Sequence, residues 1–282
     1  MKNVILDTDI GTDSDDIGAL SILCNLHRQG KINLLAVTSD TSTTEPVVTI
    51  DAICHWYGIT VPIGNSKFPY GDDQQHGGYA RAVAKQYPRN VGEIPDAVAV
   101  LRKALTTGNV TLVTIGPLNN IARLLESPAD GISEKSGKQL FDENVVEMYS
   151  MAGSFTNDWP EWNVAEDVAA MQVVANAVTC PWTLIPYEAG AIVKTGANFL
   201  NSADSPMKLG YFVHNGGPRE SWDPITAYCA AVECLPTSNW GKLQLSISGV
   251  TTLVGTDGNA RYVKADFDVD EVTDKLEKLM VI

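Results

Sequence analysis

The 282 residues include 34 Asp plus Glu against 20 Lys plus Arg, a formal charge of −14, and 44% of them are hydrophobic. Such an acidic surface repels polyanions, which argues against nucleic acid and anionic membranes as partners. With no run of about 18 apolar residues and no signal-peptide pattern, the expectation is a cytoplasmic protein in which one domain over 1–282 buries a large core.

In chain order, short apolar runs alternate with helical patterns. This predicts an α/β fold: an open, mainly parallel, Rossmann-like central sheet flanked by helices. Residues 3–7 read as the first strand, and an acidic loop leads into a helix from Asp15, with Ile17, Leu20, Leu23 and Leu26 at helical spacing up to Gly30. Strands follow at 34–38 and 61–63, with a helix over 47–56 between them, and 68–75 reads as a mobile loop. A helix over 97–105 precedes the β run 110–115. The chain turns helical again after Pro117. Strands are expected at 144–151 and 182–186, and helices at 164–177 and 224–232. Near the C-terminus, 243–254 and 260–267 look β-like. The Gly255-Thr256-Asp257-Gly258 turn between them predicts a small hairpin before a last helix from Asp270. Five cysteines without a C-x-x-C pair form neither a disulfide framework nor a zinc motif and read as buried thiols.

Ligand sites of open α/β sheets lie beyond the carboxyl ends of the strands, so the loops there carry the functional reading. After the first strand, Asp7, Asp9, Asp13, Asp15 and Asp16 place five carboxylates within ten residues. That crowding is unfavourable unless a hard cation such as Ca²⁺ offsets it. Three further loops stand out. Ile115-Gly116-Pro117-Leu118-Asn119-Asn120 joins a strand end to a helix start, with the Ile115 carbonyl free to face a ligand. The segment 151–163 is dense in Asn, Trp and Glu. Ser221-Trp222-Asp223-Pro224 puts an acid at a helix start, where a plain N-cap is the simpler role. Asp40 follows the second strand, as a group facing the ligand or as a solvated loop acid. His76 beside Gly77 is either a pocket residue or incidental, and His27, His55 and His214 belong to no recognisable constellation.

Taken together, these blocks resemble the inosine-uridine-preferring nucleoside hydrolases and their purine-specific relatives. The resemblance runs through Asp7-Thr8-Asp9-Ile10-Gly11 with Asp15-Asp16, His76-Gly77, Ile115 to Asn120, Glu161-Trp162-Asn163 with Glu166-Asp167-Val168-Ala169-Ala170, and Trp222-Asp223-Pro224. It implies Ca²⁺ held by Asp9, Asp16, the Ile115 carbonyl and Asp223. It also implies Asp15 as the general base that takes a proton from the attacking water, and Asn157, Glu161 and Asn163 as the groups gripping the ribose. Ribose and a free base would be the products of a small-molecule nucleoside substrate, and the family suggests a homo-oligomer, dimer or tetramer.

The sequence departs from the family pattern twice. Two extra residues follow Gly11, so Asp13 occupies the spacing usual for the aspartate pair. Because Asp15-Asp16 directly precede the helix, they are preferred, and Asp13 and Asp7 remain as supporting groups or, for Asp13, a rival base. Trp222 stands where many members carry a His, as in the purine-specific subgroup. An indole supplies no proton but can stack on a purine, which favours purine nucleosides. Three other readings stay open: a non-catalytic Ca²⁺-dependent ribose or nucleoside binder, an enzyme for another N-glycosyl or ribosyl substrate, and a haloacid-dehalogenase-type phosphatase suggested by Asp7-Thr8-Asp9. The last lacks the Thr or Val expected two residues after the second Asp.

Overall fold

In the computed structural model, residues 1–11, 13–67 and 78–282 are described. The expected loop over 68–75, together with His76 and Gly77, lies outside the described residues, as does Thr12. The chain begins with β1 (Lys2–Thr8), α1 (Asp15–Arg28), β2 (Ile32–Ser39), α2 (Thr44–Trp56) and β3 (Ile63–Asn65). It continues through α3 (Tyr79–Gln86), α4 (Ala97–Leu105), β4 (Val110–Thr114), α5 (Asn119–Glu126), α6 (Gly137–Asn144) and β5 (Val145–Met151). Then come α7 (Trp162–Glu166), α8 (Val168–Ala177), β6 (Trp182–Ile185), α9 (Tyr187–Gly190), β7 (Lys194–Thr195), α10 (Ala197–Leu200) and α11 (Pro206–His214). The last elements are β8 (Arg219–Glu220), α12 (Trp222–Ala231), β9 (Lys242–Leu245), β10 (Thr251–Val254), β11 (Ala260–Tyr262) and α13 (Val269–Met280).

Seven strands form the central sheet in the order β11-β6-β5-β4-β1-β2-β3, and every neighbouring pair in it is parallel. A parallel sheet must be covered on both faces, and alternate residues of each strand supply the two cores. Val4, Leu6, Val37 and Val113 pack with α1, α2, α12 and α13, while Ile5, Ala36 and Leu112 pack with α4, α5, α6 and α8. Burying each such side chain fully contributes roughly 1.5–3 kcal/mol, so these two layers hold the sheet. From β1 the chain runs outward to β3, returns to the centre with β4 beside β1, and then proceeds to the opposite edge. The order therefore reverses between β1 and β4, where the loops diverge and leave a crevice.

Two expectations need correction. The expected helix over 164–177 is two helices. Asp167 breaks it at φ −147° and ψ 75°, and its side chain instead accepts a hydrogen bond from Ala170 N as the N-cap of α8. The C-terminal hairpin exists, but it pairs β9 with β10, and its turn lies at Ser246 to Val250 rather than at Gly255 to Gly258. The latter turn instead delivers β11 to the open edge of β6, where parallel pairing completes the sheet. Of the cysteines, Cys24, Cys54 and Cys229 are buried and Cys180 and Cys234 half-buried, all as free thiols. Among the described residues no helix is long and apolar enough to cross a membrane.

Candidate active site

The end of β1 carries Asp9 into the crevice, and the first turn of α1 adds Asp15 and Asp16, where the helix dipole favours negative charge. Asp223 comes from the first turn of α12, which lies against α1. Gly18 permits that approach, since a Cβ there would sit 2.9 Å from Pro224 Cγ and 2.9 Å from the Tyr211 hydroxyl. One oxygen from each of Asp15, Asp16 and Asp223 lies within 4.8 Å of the others, and all three residues are buried. The Asp223 amide donates to Asp15 Oδ2 at 3.0 Å, and Thr8 Oγ1 donates to Asp16 Oδ1. Asp16 Oδ2 is buried with no hydrogen-bond partner.

These carboxyls are in a strained electrostatic state. Burial raises Asp16 well above the usual carboxylate range, and the charges of Asp9 and Asp15 push the same way. Asp223 is raised by burial and then by Asp15, Asp16 and Asp9, and Asp15 by burial and then by Asp13. A buried oxygen-only donor set of this kind, with one oxygen unpartnered, fits a hard divalent cation.

The cluster lies at one end of a cavity of about 520 Å³. Its wall includes the sequence-predicted Asp9, Asp13, Asp15, Asp16, Ile115, Glu161, Asn163, Trp222 and Asp223. Gly116 is what lets the β4 loop come this close. A Cβ at that position would meet Asp40 Oδ2 at 2.4 Å and the Asp9 backbone nitrogen at 2.9 Å. Asn163 Nδ2 donates to the Ile115 carbonyl at 3.2 Å and to the Met151 carbonyl at 3.1 Å, tying the loops after β4 and β5 together. Glu161 caps α7 by accepting from Asn163 N at 2.9 Å and also accepts from Gly153 N at 3.1 Å; burial nonetheless pushes its carboxyl up to about 7. Asn157 stands apart from this lining and donates to Ser154 Oγ at 2.9 Å.

Asp13 stays beside Asp15 and is held by Arg219, whose Nε donates to both of its oxygens at 2.9 Å. Burial works to raise Asp13, but the hydrogen bond and charge of Arg219 prevail and hold it below the usual range. Asp7 and Asp40 are fully buried and absent from the cavity lining. Asp7 accepts from Thr38 Oγ1 and from Asn120 Nδ2, which also donates to Asp40 Oδ1 at 2.8 Å. Burial raises Asp7 to about 6 and Asp40 well above its usual range. Asp40 is thus neither the ligand-facing nor the solvated acid expected. An Asp-x-Asp phosphatase needs both carboxylates facing its phosphate, which the enclosure of Asp7 denies.

Five cavity residues were given no site role by the sequence reading: Met151, Trp162, Tyr187, His214 and Arg219. The Trp222 indole nitrogen donates to the Tyr187 carbonyl at 2.8 Å, and the two rings lie 5.7 Å apart at 30°. Arg219 sits over the Trp222 ring at 5.0 Å, and Trp159 meets Tyr187 edge-on at 4.8 Å. Arg219 had a signal, since it lies three residues before Trp222. His214 had none.

The family model described as inosine-uridine preferring nucleoside hydrolase matches residues 4–235. Comparison with curated proteins finds no match. Among solved structures the chain resembles an inosine-guanosine nucleoside hydrolase, at TM-score 0.76 and 16% identity over 99% of both chains. It also resembles the effector protein XOO4466, at TM-score 0.74 and 14% identity over 99% of this chain and 93% of that one. The type III effector protein XopQ, solved with adenosine diphosphate ribose, matches at TM-score 0.72 and 14% identity over 99% of this chain and 91% of that one. At these identities the structural likeness speaks for the fold.

Proposed function

The chain belongs to the inosine-uridine preferring nucleoside hydrolase family and is by that membership an N-ribohydrolase, and we propose that it cleaves purine ribonucleosides with the help of Ca²⁺. The observation that carries this reading is the buried convergence of Asp15, Asp16 and Asp223 at the end of an aromatic-walled cavity. Asp9, Asp16, Asp223 and the Ile115 carbonyl would hold the cation, an all-oxygen set suited to Ca²⁺. When bound, such a cation supplies positive charge that acidifies water and attracts hydroxyl oxygens.

Asp15 serves as the base that takes the proton of the attacking water. Burial and the nearby Asp13 raise its proton affinity above the usual carboxylate range, and the Asp223 amide fixes Oδ2 in place. Glu161 and Asn163, held by backbone groups of the loops after β4 and β5, orient the ribose, with Asn157 as a further contact once the loop over 154–160 meets the ligand. Trp222 offers an indole face to the purine, backed by Tyr187. In solution the protein is expected as a homo-oligomer, which sedimentation would test.

A panel of nucleosides, assayed for free base with and without chelator, tests the reading. Turnover of purine ribonucleosides that stops on cation removal and returns with Ca²⁺ supports it, whereas unchanged turnover in fully stripped protein refutes the cation's role. Asp15→Asn separates enzyme from binder. The enzyme reading requires loss of base release with nucleoside binding kept; a wild-type protein that binds nucleoside and never releases base is a binder. Because the similar XopQ was solved with adenosine diphosphate ribose, that compound belongs in the panel as a second ribosyl ligand.

A further inference from the structure

Asp223 lies in the first turn of α12, and two thiols gather where the same helix ends. Cys229 lies in its last turn and Cys234 just past it. The amides of Val232 and Glu233 both donate to the Tyr228 carbonyl, at 2.9 and 3.3 Å, so the chain folds back on the helix end and brings the two sulfurs into hydrogen-bond contact. Cys229 is buried and Cys234 half-buried, so one sulfur of the pair is reachable from solvent and the other stands behind it.

A cation is fixed beside the reachable sulfur. Arg261 Nη2 lies 4.0 Å from Cys234 Sγ, and its guanidinium is held there by Nε donating to Thr183 Oγ1 at 3.1 Å and by the Trp240 ring at 4.5 Å. The other charges acting on Cys234 are Lys2 and Glu147, which pair with each other at 3.0 Å; Glu147 also accepts from the Tyr149 hydroxyl. With the Cys229 thiol as hydrogen-bond donor and Arg261 as counter-charge, Cys234 is brought down to about 7 against the opposing effect of burial. The same hydrogen bond, together with burial, holds Cys229 well above the ordinary thiol range.

The other three cysteines lack this combination. Cys24 and Cys54 lie 3.8 Å apart, but both are buried, and burial raises Cys24 well above the ordinary thiol range. Cys180 is half-buried like Cys234, yet burial pushes it up to about 12. We infer that Cys229 and Cys234 form an oxidation site for hydroperoxides, in which Cys234 is the attacking thiolate, Cys229 the resolving thiol and Arg261 the counter-charge.

The hydroperoxide is the only co-reactant the step needs. The Cys234 thiolate attacks one peroxide oxygen; an S–O bond forms, the O–O bond breaks, and the departing oxygen takes up a proton and leaves as water or alcohol. The Cys229 sulfur then attacks the sulfenic sulfur of Cys234. An S–S bond forms, the S–O bond breaks, and the released hydroxide takes the Cys229 proton to leave as water. The two sulfurs lose two electrons and the hydroperoxide gains them.

Hydrogen peroxide followed by tryptic digestion of the native protein tests the assignment, because residues 220–242 carry both cysteines and no Lys or Arg before Lys242. That peptide should lose two hydrogens, in a change that dithiothreitol reverses, before Cys24, Cys54 or Cys180 is altered. Iodoacetamide at pH 7 should label Cys234 in the folded protein about tenfold faster than Cys180. In Cys229→Ser, whose hydroxyl still donates to Cys234, the oxidised sulfur should persist as a sulfenic acid that dimedone traps. Arg261→Gln should slow labelling of Cys234 at pH 7 by about threefold, while Cys24 and Cys54 stay unlabelled and so report that the variant has folded. Oxidation first at Cys24, Cys54 or Cys180, a 220–242 peptide that keeps both thiols under peroxide, or Arg261→Gln that reacts as fast as the wild type would overturn the assignment.

Discussion

The two ends of the cavity are built on opposite principles. At the acidic end, Asp9, Asp15, Asp16 and Asp223 are all at most 4% exposed and sit just past β1 and in the first turns of α1 and α12, elements locked into the core. At the mouth, Tyr187 and Trp162 are 38% and 51% exposed and come from the starts of short helices. Charge that must be held against repulsion needs a rigid frame, whereas a surface that selects among bases needs only a shaped wall. On the proposed function, chemistry belongs to the buried end and base preference to the exposed one.

The sharpest way to break this division is Asp15→Asn, expected to lower kcat by roughly 10²–10⁴-fold while nucleoside affinity, read by calorimetry, changes little. Loss of affinity in the same proportion would mean that the two ends are not separable. Next in size is removal of the cation. A chelated sample should melt on the order of 5–10 °C below one saturated with Ca²⁺, since saturation at a hundredfold excess over Kd contributes about 2.7 kcal/mol.

The stripped protein should also respond to pH in an unusual direction. Asp15, Asp16 and Asp223 all have proton affinities raised by folding, so above pH about 4 the folded state binds more protons than the unfolded one. Stability of the stripped protein therefore falls as pH rises from there, by about 1.4 kcal/mol per unit for each carboxyl still protonated in the fold. Ca²⁺ should abolish that slope, and denaturant titrations at pH 5 and 7.5 would show it. The smallest effect belongs to the mouth. Trp222→Ala should cut purine turnover about tenfold relative to pyrimidine turnover, the scale of one aromatic contact, with a far smaller change in melting temperature. Equal losses for both classes would remove the stacking role.

The same division explains what could be read from the sequence. The acidic end was legible because Asp9, Asp15 and Asp16 sit close together in the sequence, and because Trp222-Asp223-Pro224 is recognisable at a distance. The alternation that gives the parallel sheet was legible for the same reason: strands buried on both faces are short and apolar. By contrast, α3, α6 and α11 went unread, as did the two short strands β7 and β8. His214 could not be found, because its place in the cavity wall depends on where the end of α11 falls relative to Asp13, a matter of packing. The misplaced hairpin turn has a physical cause as well. Asp257-Gly258 is a strong local turn signal, but the open edge of β6 captures the strand that follows it. Asp167 misled in the opposite sense, since apolar spacing continued across a residue that prefers to cap.

The hydrogen bond from Asp223 N to Asp15 Oδ2 joins residues 208 positions apart. During synthesis, the aspartates at the start of the chain leave the ribosome long before their distant partner exists, and β1 must wait for β4 as well as β2. A product cut short before Ser221 would keep six of the seven strands of the central sheet yet leave Asp15 Oδ2 without the Asp223 amide that fixes it.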